Sequence, residues 1–133
     1  MTVIESDKAI VNATAEDIFT FLCDFNNFEQ LMPDQVSGWE STEDSCLFTI
    51  QGMAKIGMKI SEKNANTEVK IVSTDKSPFK FDLNCKICDQ SDGTCEAQMI
   101  LEADLNPMIQ LMVEKPLGNL FSFIVRKLQS THQ

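Results

Sequence analysis

Apolar positions recur along this chain with two different periods, and the changes between them divide it into four parts. Residues 1–12 carry alternating apolar side chains whose phase slips. Ile4 and Ile10 share one parity and Val3 and Val11 the other, which a bulge near Asp7 reconciles. Thr14 to Asp24 then takes helical spacing, with Ile18, Phe21, Leu22 and Phe25 on one face and Thr14 placed to cap. Asn26 to Met32 predicts a second short helix, closed by Pro33.

From residue 35 the period becomes two. Cys46, Phe48 and Ile50 form one alternating run, and Ile56, Met58 and Ile60 the next. Val69 and Ile71 come after them, then Phe79 to Ile87, then Cys95 to Leu105. Successive strand side chains point to opposite faces, so each run has one oily and one wet face. Polar breaks at 41–45, 52–54, 64–66, 75–78 and 89–93 predict hairpins. Wet-face Lys55, Lys59, Lys70, Lys80 and Lys86 stand against Glu96, Glu102 and Asp104, which suits cross-strand charge pairing.

Asn106–Pro107 is a cap followed by a first-turn proline, and the helix it starts runs to about Gln129. Its apolar stripe is wide: Met108, Ile109, Leu111, Met112, Leu117, Leu120, Phe121, Ile124 and Leu128. Pro116 and Gly118 are expected to kink or loosen it. The fold class this implies is α+β. A curved antiparallel sheet of about six to seven strands wraps around the long C-terminal helix, with two short helices after the first strand. Only that last helix is long enough to cover the oily face of the sheet, and a curled sheet leaves room for a small molecule.

The order of elements resembles the START/SRPBCC superfamily and its helix-grip fold, nearest its polyketide cyclase/dehydrase and coenzyme Q-binding-like branch. The residues that carry the resemblance are the apolar helix Ile18-Phe19-Thr20-Phe21-Leu22-Cys23-Asp24, the segment Phe28 to Pro33, and the final helix. The resemblance spans nearly the whole chain as a pattern of elements, and it implies a deep apolar cavity. It also implies ligands such as lipids, sterols, quinones or polyketides, carried or sensed in some members and cyclised in others. This chain departs from the catalytic branches, since it has no tyrosine and its single histidine is His132, in the tail.

The candidate ligand-binding residues come from strand parity and the helical stripe. Phe48, Met58, Ile71, Phe79, Phe81, Met99 and Leu101 line the sheet side. Met108, Met112, Leu120, Phe121 and Ile124 line the helix side, and Phe28 and Met32 close the mouth. The same residues serve equally for a filled core. Gln51 and Asn106 are candidate contacts for a polar head group.

The chain has 133 residues, which suits one domain over residues 1–133. Net charge is −9, which repels phosphate backbones and anionic membranes and speaks against a nucleic-acid partner. No run reaches the roughly 20 apolar residues of a spanning helix, and the first twelve residues do not read as a signal peptide. The expectation is a cytoplasmic protein with no stable membrane insertion. Its five cysteines, an odd number, are expected to be reduced. Cys85 and Cys88 diverge on opposite faces of one strand, so neither metal nor redox chemistry is expected there, and no cofactor is implied. Asp24 reads as a cap for the next turn, with Lys8 and Glu29 as the other charged candidates for a pocket.

Three functions remain open: a module that binds a hydrophobic or amphipathic small molecule, a cyclase/dehydratase-type enzyme, or an interaction domain with a filled core. The enzyme needs Asp24, Lys8 or Glu29 buried beside a void. The interaction domain needs an exposed apolar patch, for which Met53, Phe123 and Val125 are candidates.

Overall fold

The computed structural model describes residues 1–132. Strands β1 (Thr2–Glu5) and β2 (Ala9–Val11) are followed by helix α1 (Ala15–Leu22) and by two single 3-10 turns, Phe25–Asn27 and Glu29–Leu31. Six strands come next: β3 (Val36–Ser41), β4 (Ser45–Ile50), β5 (Ala54–Asn64), β6 (Glu68–Ser73), β7 (Asp82–Asp89) and β8 (Cys95–Ala103). Helix α2 (Pro107–Thr131) ends the order.

The strands form one antiparallel sheet in the order β1-β8-β7-β6-β5-β4-β3, with β2 also paired to β8. The sheet is unclosed, with β1 and β2 at one edge and β3 at the other. The slip near Asp7 is the break between β1 and β2. There the Ser6 N–H donates to the Met99 carbonyl at 2.9 Å, and the Met99 N–H donates back to Ser6 Oγ at 2.9 Å. Both short strands can therefore pair with the same long one.

Helix ends obey the capping chemistry. Thr14 Oγ1 accepts from the Asp17 N–H, Asp24 Oδ1 from the Asn26 N–H, and Asn106 Oδ1 from the Ile109 N–H. The expected second helix is thus two 3-10 turns, and its cap is Asp24 rather than Asn26. Strand β3 carries a bulge between Ser37 and Glu40, where Gly38 sits at φ +64°. That left-handed residue inserts the extra position and resets the parity of the rest of the strand.

Inward parity places Cys46, Phe48, Ile50, Met58, Val69, Ile71, Leu83, Cys85, Met99 and Leu101 in the core, all nearly inaccessible. Helix α2 adds Val113, Leu117, Leu120, Phe121, Ile124, Val125 and Leu128. The helix is continuous through Pro116, whose missing N–H leaves the Met112 carbonyl without its usual helical donor. No helix is long and apolar enough to cross a membrane among the described residues.

Candidate functional site

Helix α2 is held to one edge of the sheet. The Asp7 N–H donates to Ser122 Oγ at 2.9 Å, Gln129 Nε2 donates to the Ile10 carbonyl at 2.8 Å, and Thr2 Oγ1 donates to Gln110 Oε1 at 3.1 Å. All three bonds lie on the β1–β2 side. Over β4, β5, β7 and β8 the helix faces the sheet through apolar side chains, and there a cavity forms.

The sheet contributes Phe48, Ile56, Met58, Phe81, Leu83, Met99 and Leu101 to the cavity wall. Helix α2 contributes Leu117, Leu120, Phe121 and Ile124, and the 3-10 segment contributes Phe28 and Met32. No polar side chain faces it. The expectation of a roomy cavity is not met. The centre of a water-sized sphere finds only about 10 Å³, the space of about one water. Side chains of the wall meet across the gap, and the three methionines among them are its most adaptable members.

Ten of the fourteen candidate residues face this cavity: Phe28, Met32, Phe48, Met58, Phe81, Met99, Leu101, Leu120, Phe121 and Ile124. Four do not. Ile71 is buried beside Leu83 and Ile60 but away from the cavity. Phe79 precedes β7, half-buried, and tilts against Phe81 at 5.6 Å between ring centroids. Met108 and Met112 are 73% and 61% exposed. The buried line of α2 runs through Ile109, Val113 and Leu117. A wide stripe holds more apolar residues than one face can bury, and 108 and 112 fall outside it. Phe28 is fully buried and belongs to the wall rather than the mouth, whereas Met32 is half-buried at the margin. Asn106 serves its own helix cap and not the cavity.

Sequence reading passed over Ile56, Leu83 and Leu117, although their parity and spacing mark them as inward. It passed over Trp39 entirely. Its indole stacks on Phe48 with centroids 5.2 Å apart and planes at 22°.

Beside the cavity lies an open groove of about 370 Å³. Pro33, Val36, Ile50, Pro116, Leu120 and Phe123 form its apolar floor, and Gln35, Gln51, Asn119 and Arg126 its rim. Leu120 borders both spaces, and Met32 of the cavity adjoins Pro33 of the groove in the chain. Arg126 is partly engaged, its Nε donating to the Ser122 carbonyl at 3.2 Å and its guanidinium 3.7 Å from Asp7.

Ionisable groups stay away from the cavity. Lys8 and Glu29 are exposed and Asp24 is a cap, so the lining offers no general acid or base. Cys85 is buried and Cys88 exposed, on opposite faces of β7. Burial pushes the thiols of Cys46 and Cys85 up to about 12, which leaves both unreactive at neutral pH. Among the described residues no three histidine, cysteine or acidic side chains gather as a metal site would require.

No family model matches the chain, and no curated protein matches its sequence. Solved structures do match. A START superfamily protein from Mycobacterium smegmatis aligns over 98% of this chain and 96% of its own, with TM-score 0.75 and 15% identity. The chain has the START-type fold. The XoxI protein of Bacillus cereus aligns with TM-score 0.78 at 10% identity, over 99% of this chain and 96% of its own. Norcoclaurine synthase from Thalictrum flavum, solved with dopamine and hydroxybenzaldehyde, aligns with TM-score 0.67 at 15% identity, over 99% and 88%. The START-type fold accounts for the unclosed sheet, the early short helices and the long terminal helix seen here.

Proposed function

We propose that this chain binds one apolar or amphipathic small molecule between its sheet and α2, for carriage or sensing, with the groove at Pro33, Ile50 and Pro116 as the way in. The observation that carries this reading is a wholly apolar cavity closed by flexible side chains and bordered by a groove through a single residue, Leu120. The norcoclaurine synthase complex supports it, as a protein of the same fold that holds two small aromatic molecules. With a resting cavity of about 10 Å³, the guest must select an opened form. If that form is populated at about 1%, apparent affinity falls about 100-fold below intrinsic affinity.

Titration with the apolar fluorophore phenylnaphthylamine tests the reading. One probe per chain at micromolar affinity, with a raised melting temperature, is expected. Leu120→Trp, checked for folding by circular dichroism, places a larger ring at the junction of groove and cavity and is expected to weaken binding at least about tenfold. No uptake by the unaltered protein, or uptake that ignores the substitution, overturns it.

A filled-core interaction domain is the second reading. It is favoured by the small cavity and by exposed Met108, Leu111, Met112 and Phe123 on α2. Of the residues expected to make its patch, Val125 is buried and Met53 half-buried. The cyclase reading gains no polar group in the lining.

A further inference from the structure

Trp39 holds a hydrogen-bond donor that nothing in the folded chain uses. Its Nε1 is buried, and among the described residues it is the one buried side-chain nitrogen or oxygen without a partner. Such groups are rare in folded proteins, and one without a protein partner can be met by water or by a bound molecule.

Its position suggests which partner. Val36 of β3 pairs with Ile50 of β4, and both line the groove. Past the bulge at Gly38, Trp39 stacks on Phe48, which lines the cavity. Groove, cavity wall and indole therefore succeed one another along two strands. Strand β3 is the sheet edge, hydrogen-bonded only to β4, and the bulge has already interrupted that ladder. Such an edge parts more readily than the strands inside the sheet. Trp39 itself lines neither space, so a guest reaches the indole by displacing the Phe48 ring that covers it.

We propose that Trp39 is the polar anchor of the bound molecule, its indole N–H donating to a carbonyl oxygen on an otherwise apolar guest. This rests on the reading of the gap between sheet and α2 as a ligand site. The cavity lining has no polar side chain to compete for that oxygen. The anchor therefore selects ketones, esters or quinone-like rings over hydrocarbons of the same shape. A hydrocarbon would fill the space and leave the N–H bare.

Two probes of matched shape separate the possibilities: methyl naphthyl ketone, and ethylnaphthalene, which lacks the oxygen. Each is titrated against the unaltered protein and against Trp39→Phe, which keeps a ring on Phe48 and removes the donor. The ratio of the two affinities cancels their different solubilities. The substitution is expected to weaken the ketone about 2- to 10-fold relative to the hydrocarbon. Trp39 is the only tryptophan, so its indole N–H proton gives a single resonance in the unaltered protein. That signal is expected to move downfield with the ketone and to stay in place with the hydrocarbon, whether or not the variant folds. If both probes bind and neither the ratio nor the resonance responds, the anchor is wrong and the ligand site stands. An indole proton already bonded to a trapped water, and indifferent to the ketone, also overturns the anchor. If neither probe binds, both proposals fall.

Discussion

Helix α2 meets the sheet in two different ways. Along β1 and β2 it is tied by three hydrogen bonds: Gln110 and Ser122 accept from Thr2 and Asp7, and Gln129 donates to Ile10. Over the inner strands β4, β5, β7 and β8 the contact is oil on oil, with Met58, Met99 and the neighbouring Met32 among the groups that fill it. Hydrogen bonds fix distance and direction, whereas apolar contact is non-directional and can slide. One side therefore behaves as an anchor and the other as a seam. The proposed admission of a guest needs both, and here one helix carries them.

The largest expected effect opens the seam permanently. Leu117 is buried at the cavity wall on α2, and Leu117→Ala is expected to cost about 2–5 kcal/mol. The enlarged space should then accept an apolar probe, which restores part of the loss in thermal unfolding. Val125 is equally buried but lies off the cavity wall, so Val125→Ala should lose stability that no probe recovers. Equal recovery in both variants would erase the distinction between the two flanks.

A smaller effect comes from pH. In the unfolded chain a thiol ionises near pH 8.5, while burial holds Cys46 and Cys85 up to about 12 in the folded state. Below about pH 8.5 both states keep the proton and the contribution is fully present. Between there and pH 12 the unfolded chain releases protons that the folded chain retains. Stability then falls by about 1.4 kcal/mol per pH unit for each thiol. Cys46→Ala and Cys85→Ala should each remove one proton from that alkaline slope. Cys46 on β4 pairs with Met58 and Cys85 on β7 with Met99, both methionines of the cavity wall. With no tyrosine in the chain, the difference in ultraviolet thiolate absorbance between the unaltered protein and each variant reads each of the two among the five thiols.

Strand parity made most of the wall legible from the sequence. Once Phe48 points inward, pairing carries the phase from strand to strand to Met58, Leu83, Met99 and Leu101. Turn chemistry marked the hairpins, and cap residues marked α1 and α2. The helix side was harder, because Met108 and Met112 satisfy an apolar stripe as well as Val113 does. Which of them is buried depends on where the sheet ends. Trp39 was hidden for a different reason. The left-handed Gly38 shifts the phase of β3, so no alternating run announces the strand. Cavity volume was not legible at all, since a filled gap and an open one take the same side chains.

The smallest expected effect tests the anchor alone. Ser122 is buried on α2, and its Oγ accepts the Asp7 N–H at 2.9 Å. Ser122→Ala leaves that N–H without its acceptor, for a loss of about 1 kcal/mol, since a neutral hydrogen bond contributes about that much. The neighbouring Arg126–Asp7 ion pair, 3.7 Å long with both side chains more than half exposed, compensates little. Hydrogen exchange at the Asp7 amide should quicken, because the bond that protects it is gone. Probe affinity should stay within about twofold, since Ser122 is bonded to Asp7 and does not itself line the cavity. A change in affinity as large as that from Leu117→Ala would mean that the two flanks move as one, and that α2 admits its guest by lifting whole rather than by parting along one side.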